Sequence, residues 1–283
     1  MKIGFAGFGC VNQGAYKIIC ERGIDVKISA VLVRNPATYQ AQFPALPFTT
    51  NLSDLQSCEV VLEAISSDSY DIALFCAQNK IHYVTANKAL VAAHYAYFTS
   101  LPTRFLFEAS VMSGTPVIST LMSTFGLKSV RGILNGSCNY ILTAQRNGQS
   151  QSEAISKAKQ LGILEADPSA DLDGLDAARK LLIICKTGGL NGDLKDVKMQ
   201  SITNHQNTNI NLKQISSYLN GVLTVKVEQI FENDSLANIN GTMNAVELEF
   251  EFIGKITITG CGAGSEQTGF GQVCDLLRIM KGK

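Results

Sequence analysis

The sequence predicts an α/β protein in which the first half of the chain builds a parallel sheet. Two observations support this class. Short apolar runs alternate with helix-like stretches up to residue 111, which is typical of right-handed βαβ units. Later segments include runs in which apolar and polar residues alternate, which is typical of strands on a half-exposed sheet. At 283 residues, 46% of them hydrophobic, the chain is long enough for two domains, or one large one.

The first half is predicted to contain five strands joined by helices. Apolar runs bounded by glycine or polar residues place the strands at 2–8, 26–34, 59–65, 83–86 and 104–111. Helix-like stretches lie between them at 11–22, 67–79 and 88–99. Since sequential βαβ units place their strands side by side, these elements predict one parallel sheet.

The second half is predicted to mix strands and helices. Strands are predicted at 130–135, 222–231, 245–252 and 256–259. Helices are predicted from 136 to near 148, and at 152–161, 175–186 and 271–280. A capping-box pattern, Ser150 with Glu153, opens the helix at 152–161, and Gly162 ends it. Residues 190–215 are rich in Asn and Lys, and their weak periodicity predicts no element.

The charge balance and the cysteine pattern argue against several classes of protein. Lys plus Arg equals Asp plus Glu at 24 each, which argues against nucleic acid or an anionic membrane as the main partner. No run approaches the ~18 apolar residues of a membrane span. The eight cysteines form no CxxC pair, so neither a zinc site nor a disulfide framework is indicated. We therefore expect a cytoplasmic protein with free thiols.

A glycine-rich turn between the first strand and the first helix predicts a dinucleotide site. Its residues are Gly7, Phe8, Gly9, Cys10 and Val11. The first glycine permits a tight turn, the second lets a pyrophosphate approach the backbone, and the start of the helix supplies N–H donors. Asn12 stands where such fingerprints carry a third glycine, so a merely structural turn is the alternative.

Arg34 ends the second predicted strand, where a protein that binds NAD usually has an acidic residue. Its guanidinium could pair with the 2′-phosphate of NADP. The alternative is an ordinary solvated arginine at a strand end. The sequence therefore favours NADP as the cofactor, with NAD as the alternative.

Five acidic residues between Glu165 and Asp176 directly precede an apolar helix. Asp176 and Lys180 are spaced i, i+4, so they share one face of that helix. A carboxylate-lined pocket with one lysine suits a substrate that has an ammonium group and a carbonyl to be protonated. The alternative is an acidic loop that caps the helix, together with a surface ion pair.

A second lysine, Lys88, follows the strand predicted at 83–86. It would lie at the carboxyl edge of the sheet, where folds of this class bind ligands. An exposed lysine at the start of a helix is the alternative.

Seven segments, in the same order along the chain, resemble one enzyme family. They are 85–90, 107–111, 114–118, 131–142, 165–182, 240–245 and 260–268. The most specific are the acidic segment that ends in Lys180 and the Gly-Ile-Leu-Asn-Gly run at 132–136. The family is homoserine dehydrogenase, whose members interconvert aspartate semialdehyde and homoserine. The resemblance covers almost the whole catalytic core, so we expect a short form without the C-terminal regulatory domain that many members carry.

This resemblance implies a fold and an assembly. A nucleotide-binding domain of Rossmann type would span 1–125 and 260–283 and be closed by the C-terminal helix. An α+β catalytic and dimerisation domain would span 126–259. The protein would be a homodimer that binds NADP or NAD and a small-molecule substrate.

The resemblance also implies catalytic and substrate-binding residues. Lys180 would act as acid and base at the substrate oxygen, with Asp176 beside it. The substrate would contact Glu165, Asp171, Asp176 and Ser137, and its amino group would be held by Glu165 and Asp171.

Cofactor and metal contacts are implied in the same way. Lys88 would lie between nicotinamide and substrate, and Gly162 and Gly262 would contact the cofactor. A sodium ion would be held, mostly through backbone carbonyls, by Glu108, Val111, Ser113 and Thr115.

The chain departs from the family pattern at several positions. Asn12 replaces a glycine of the family, and Ile163 replaces a tyrosine that contacts substrate. Gln267 replaces a proline, and Ser137 and Cys138 replace two threonines. The stretch after Lys180 is also shortened. These departures support a second hypothesis, a catalytically weak or inactive NAD(P)-binding dimer or regulatory protein of the same fold. A third hypothesis makes Cys138 the nucleophile of an aldehyde oxidation, which requires a base such as histidine.

Overall fold

The computed structural model of the protein describes residues 1–205 and 210–282, and the chain divides into two compact units. Unit 1 consists of Met1–Pro116 and Gly264–Lys283, and unit 2 of Val117–Ala263. The strands are β1 Lys2–Ala6, β2 Lys27–Leu32, β3 Phe48–Thr49, β4 Val60–Glu63, β5 His82–Thr85, β6 Phe105–Leu106, β7 Leu127–Ile133, β8 Lys198–Met199, β9 Leu212–Leu219, β10 Val222–Gln229, β11 Met243–Phe250 and β12 Gly254–Cys261. The helices are α1 Cys10–Glu21, α2 Ala37–Gln40, α3 Tyr70–Gln78, α4 Lys88–Thr99, α5 Val117–Met122, α6 Gly136–Arg146, α7 Gln151–Gln160, α8 Ser169–Leu172, α9 Leu175–Thr187 and α10 Ser265–Met280.

Unit 1 is built on a six-stranded sheet in the order β3-β2-β1-β4-β5-β6. Every pair of neighbouring strands is parallel. The central strands are short apolar runs that are buried over most of their length, because helices cover both faces of a sheet of this kind. Its buried core includes Phe5, Val31, Leu62 and Val84. The predicted Rossmann-type α/β fold is confirmed.

Helices α1 and α10 pack against each other within unit 1 at very short range. A Cβ atom added to Gly14 of α1 would collide with the backbone of Ser265 at the start of α10. One added to Gly269 of α10 would collide with the backbone nitrogen of Ala15. The glycines let the two backbones touch, so a helix from late in the sequence completes the unit that the first residues begin.

Unit 2 contains a mixed sheet in the order β12-β11-β7-β9-β10-β8. All neighbours are antiparallel except β10 and β8. Helices α6 and α9 pack on this sheet, and both bury apolar side chains such as Ile141, Leu142 and Leu181. This arrangement confirms an α+β second part of the fold and places the start of α9 close to the end of β7.

Two parts of the predicted element map differ from the structure. The strand predicted at 104–111 is wrong beyond β6, because the chain enters a 3₁₀ turn at Glu108–Ser110, where the Glu108 N–H donates to the buried carboxylate of Asp275, 2.8 Å away. The region 190–215, with no predicted element, contains β8 and the start of β9. Residues 206–209 of that region lie outside the described residues.

The unit boundaries also differ from the predicted division at 125/126 and 259/260. Helix α5 belongs to unit 2 because it packs against α9. Strand β12 extends through Cys261, which pairs with Met243 at the start of β11. In the ranges 1–205 and 210–282, no helix has the length and apolar character needed to cross a membrane.

Candidate functional site

The turn between β1 and α1 has the geometry of a phosphate-binding loop. Gly7 adopts a φ of +74°, which favours glycine, and a Cβ atom there would lie 3.0 Å from the Ala64 carbonyl oxygen. Gly9 is the N-cap of α1, and a Cβ atom on it would meet nothing within 4 Å. The start of α1 therefore faces open space without a capping side chain, which suits an anion. Phe8 is buried beneath the turn, Cys10 is exposed and Val11 is half-buried.

Asn12 secures this turn from below. Its side chain is fully buried, and Nδ2 lies 3.1 Å from the Ala6 oxygen, 2.7 Å from the Gly7 oxygen and 3.2 Å from the Leu62 oxygen. These contacts tie the turn to the ends of both β1 and β4. The Asn12 side chain, which stands in place of a third glycine, thus stabilises the turn and leaves the space beside Gly9 open.

Arg34 and Lys88 both follow strands of the unit 1 sheet at their carboxyl ends. Arg34 is exposed just after β2. Lys88 is half-buried and is the first residue of α4. Asn87 caps that helix, since its Oδ1 accepts from the N–H groups of Ala89 and Leu90, each at 3.1 Å. The contacts that these two cations would make with a cofactor stay predictions.

In unit 2, Lys180 and Asp176 form a buried ion pair on α9. The Lys180 Nζ lies 2.9 Å from the Asp176 Oδ2, and the two side chains are only 9% and 7% exposed. The alternative of a surface ion pair is therefore wrong. Lys180 Nζ also donates to the Leu134 carbonyl oxygen at 2.9 Å, where β7 gives way to α6. A buried, hydrogen-bonded ion pair holds its geometry far better than a solvated one.

Asn135, for which the sequence predicts no role, joins this pair to the acidic segment. Its Nδ2 donates to Asp171 Oδ1 at 2.7 Å and to Asp176 Oδ2 at 2.9 Å. Its Oδ1 accepts from the Cys138 N–H at 2.8 Å and so caps α6. One amide thereby brings three predicted site residues, Asp171, Asp176 and Lys180, into one cluster. A helix-capping asparagine directly after a strand was the available signal.

Asn244 is a second residue of the cluster that the sequence did not single out. Its Nδ2 donates to the Leu134 oxygen at 2.8 Å, the same acceptor that Lys180 uses. Its Oδ1 is buried without a hydrogen-bond partner among the described residues. A Cβ atom on Gly262 would collide with this amide, so any larger residue at 262 would displace it. An unpaired buried acceptor beside Lys180 is a place where a ligand N–H or O–H could be received.

The remaining predicted substrate residues are placed differently. Ser137 Oγ donates to the Ile163 carbonyl oxygen at 2.9 Å, so its proton is already committed. Glu165 is exposed in the segment between α7 and α8. Gly162, with a φ of +69°, is exposed directly after α7, whose capping box of Ser150 and Glu153 is present as predicted. The roles of Glu165 and Gly162 stay predictions.

The hypothesis that Cys138 is a nucleophile is wrong. The side chain is fully buried, and Sγ donates to the Asp171 carbonyl oxygen at 3.2 Å. Burial, with the nearby carboxylates of Asp171 and Asp176, raises the pKa of the thiol well above its usual value. A thiol with a raised pKa gives little thiolate, which is the form that attacks carbonyl carbon.

The four residues of the predicted sodium site lie in and after the 3₁₀ turn that follows β6. Val111 is fully buried, and Ser113 has a φ of +57°. The buried carboxylate of Glu108 lies 3.2 Å from Arg278, which offsets its charge, so a cation would depend mainly on backbone carbonyls. Among 1–205 and 210–282, no cluster of three or more His, Cys, Asp or Glu side chains could hold a metal ion. Sodium binding stays a prediction.

Two family models match the chain and together span most of it. The homoserine dehydrogenase model matches residues 116–277, and the model of the homoserine dehydrogenase NAD binding domain matches residues 7–104. The second match begins next to the first boundary between units 1 and 2, after Pro116, and extends past residue 263 into α10 of unit 1.

Individual proteins give the same result. Homoserine dehydrogenase of Bacillus subtilis is 31% identical over 316 residues, which cover 99% of this chain and 73% of that protein. The NAD(+)-dependent homoserine dehydrogenase of Pseudomonas canavaninivorans is 30% identical, with 98% of this chain and 96% of that protein covered. The crystal structure of a homoserine dehydrogenase from Thiobacillus denitrificans superimposes with a TM-score of 0.92 at 27% identity, over 99% of this chain and 73% of that one.

Proposed function

Because the chain belongs to the homoserine dehydrogenase family of NAD(P)-dependent oxidoreductases, we propose that its buried Lys180–Asp176 pair carries the proton transfer of that reaction. The reaction interconverts L-aspartate 4-semialdehyde and L-homoserine. One observation carries the assignment, the 2.9 Å contact between Lys180 Nζ and Asp176 Oδ2 inside unit 2. Lys180, Asp176 and Asp171 lie in one hydrogen-bonded cluster, which supports an active enzyme over the inactive-protein hypothesis.

A count of hydrogen-bond donors supports a role for Lys180 at the substrate oxygen. An ammonium group has three N–H bonds, and here one points to Asp176 and another to the Leu134 carbonyl. The third is available to a substrate oxygen. In aldehyde reduction the ammonium would give that oxygen a proton, and in homoserine oxidation the neutral amine would take the hydroxyl proton back.

Asp171 is the substrate residue that the structure supports best. Asn135 donates to this carboxylate and so orients it, and an ionised carboxylate accepts several hydrogen bonds at once, which suits it to a substrate ammonium group. We assign Glu165 to the same amino group on the family resemblance. Because Ser137 already donates its proton to the Ile163 carbonyl, it can offer substrate only an acceptor.

The cofactor site in unit 1 fits a dinucleotide, since Gly9 leaves the start of α1 open and Gly7 makes the tight turn. The bound nicotinamide cofactor supplies or accepts the hydride. We propose that residues 7–11 hold the pyrophosphate, that Arg34 pairs with a 2′-phosphate, and that Lys88, Gly162 and Gly262 contribute on the nicotinamide side. NADP is the preferred cofactor on this proposal.

We also infer a homodimer and a cytoplasmic location. Unit 2 exposes three large apolar side chains, Phe125, Phe252 and Ile253, at and beside the turn between β11 and β12, and exposed apolar groups of this kind mark association surfaces. All eight cysteines are free, and three of them are exposed, which suits a reducing compartment.

The test of the proposed function is the substitution Lys180→Ala. We expect kcat for homoserine oxidation, followed by absorbance of the reduced nicotinamide, to fall ~10²–10⁴-fold while the cofactor Kd changes little. Lys186→Ala, at the other end of α9, is the matched control and should keep wild-type kcat. Near-normal turnover in Lys180→Ala would remove Lys180 from the proton transfer.

A further inference from the structure

Unit 1 contains a buried carboxylate that the proposed reaction does not use. Glu63 is the last residue of β4 and is fully buried. Among the described residues it forms no ion pair, so its charge is balanced by hydrogen bonds alone. Burial raises the pKa of this carboxyl to about 7. Burying a carboxylate without a neighbouring cation costs free energy unless its oxygens accept hydrogen bonds.

Both oxygens of Glu63 are engaged by the chain on either side of it. Oε1 accepts from the Ile65 N–H at 2.5 Å, and Oε2 accepts from the Thr85 hydroxyl at 2.5 Å, where Thr85 is its register partner on β5. Thr85 Oγ1 in turn accepts from the Asn87 N–H at 2.8 Å. A hydroxyl has a single proton, and because Glu63 receives it, a lone pair of Thr85 is left to face Asn87.

Asn87 connects this hydrogen-bond network to the start of α4. Its Nδ2 donates to the carbonyl oxygen of Ile65 at 3.1 Å and to Ser69 Oγ at 3.0 Å. Its Oδ1 caps α4 through the N–H groups two and three residues further on. Lys88 lies between the cap and those N–H groups. The backbone on both sides of Lys88 is therefore fixed by one network that ends on Glu63.

We propose that Glu63 is a positioning residue for Lys88, acting through Thr85 and Asn87 to fix the point from which the Lys88 side chain extends. The inference rests on the proposed function, in which Lys88 takes part in the reaction. Glu63 itself touches neither substrate nor cofactor. Its effect on turnover should therefore pass entirely through Lys88.

The first experiment is Glu63→Gln in the full chain. The amide has nearly the same size, but if its oxygen accepts from Ile65, its NH₂ group meets the Thr85 hydroxyl, which can no longer donate. We expect kcat for homoserine oxidation to fall ~10-fold or more, since small misplacements of catalytic groups cost up to ~10²-fold. Glu59→Gln, an exposed carboxylate directly before the same strand, is the matched control and should leave kcat unchanged.

The decisive experiment combines Glu63→Gln with Lys88→Ala. If Glu63 acts through Lys88, Glu63→Gln should lower kcat in the wild-type background and have no further effect in Lys88→Ala. The same fold-loss in both backgrounds would show general damage to the fold and overturn the proposal. A Lys88→Ala variant with wild-type kcat would also overturn it, and would remove Lys88 from the reaction without affecting the Lys180 assignment.

A second pair of variants covers the case in which Glu63→Gln does not fold. Thr85→Val removes the bridging hydroxyl, and Thr85→Ser restores it. We expect Thr85→Val to lower kcat as Glu63→Gln does, and to do so only when residue 88 is lysine. Thr85→Ser should have a kcat close to that of the wild type. Equal kcat in the two Thr85 variants would contradict the proposed network.

Discussion

At the scale of single residues, asparagine side chains organise both candidate sites. Asn12 binds the phosphate turn to two strands, Asn87 holds the start of α4, and Asn135 bridges two carboxylates beside Lys180. An amide is suited to this because it carries donors and acceptors on one short, neutral group. Spacing alone was enough to pair Asp176 with Lys180. It could not identify Asn135, whose two carboxylate partners lie 36 and 41 residues further along the chain.

The residue-scale prediction concerns Arg34. Because its guanidinium is exposed after β2, Arg34→Ala should weaken NADP binding ~10-fold or more and leave NAD binding nearly unchanged, since only NADP has the 2′-phosphate. Cofactor Kd values from a fluorescence titration test this. Arg22→Ala serves as the control, because Arg22 is also exposed but lies at the C-terminal end of α1, away from the phosphate-binding turn. Equal losses for both cofactors would show that Arg34 does not read the phosphate.

At the scale of elements, most helices could be predicted and one central strand could not. Helix α7 was predicted from its capping box and α9 from its apolar spacing, and both lie within one or two residues of the predicted ends. Strand β9 was missed because Lys213, Gln214 and Ser216 are buried in it. Polar residues inside a protein break the alternation from which a strand is inferred. Only tertiary contacts, such as Lys213 Nζ to Asn139 Oδ1 at 3.0 Å, show why they are tolerated.

The element-scale prediction concerns the contact between α1 and α10. Gly14→Ala places a methyl group against the backbone of Ser265, so the helices must separate, and we expect a loss of ~1–3 kcal/mol in the free energy of unfolding. Gly9→Ala is the matched comparison, because its methyl group meets no protein atom within 4 Å. It should keep the stability measured by urea denaturation but weaken cofactor binding. A stable Gly14→Ala variant would mean that the two helices are not held at that distance.

At the scale of the whole molecule, the sequence was sufficient for the class of fold and for the order of the two sheets along the chain, but not for the unit boundaries. Two-residue strands such as β3 and β8 are too short to produce a recognisable sequence pattern, and α5 has to be seen against α9 before it can be assigned to unit 2. The family resemblance anticipated the reaction. The burial of the Lys180–Asp176 pair and its hydrogen bonds to Asn135 and to the Leu134 carbonyl had to come from the structure.

The whole-molecule prediction concerns pH and stability. The pKa of Glu63 rises from 4.5 to about 7 on folding, so the folded protein binds this proton more tightly than the unfolded chain. The stability that it contributes is complete below about pH 4.5 and is lost as the pH rises through about 7. Relative to Glu63→Gln, the wild type should therefore lose several degrees of melting temperature between pH 5.5 and pH 8. Parallel pH profiles of the two proteins would show that Glu63 does not titrate in this range.

Unit 1 is assembled from two stretches of sequence that are separated by the whole of unit 2. On the ribosome, the parallel sheet and α1 emerge before unit 2, and α10 follows only after residue 263 has been added. Until then α10 cannot cover the surface of α1 around Gly14, and apolar residues of α1 such as Ile19 are exposed to solvent. Closing so long a loop is slow, and exposed apolar surface invites aggregation in the interval. Nascent chains should therefore engage chaperones through the uncovered face of α1 until α10 has been made.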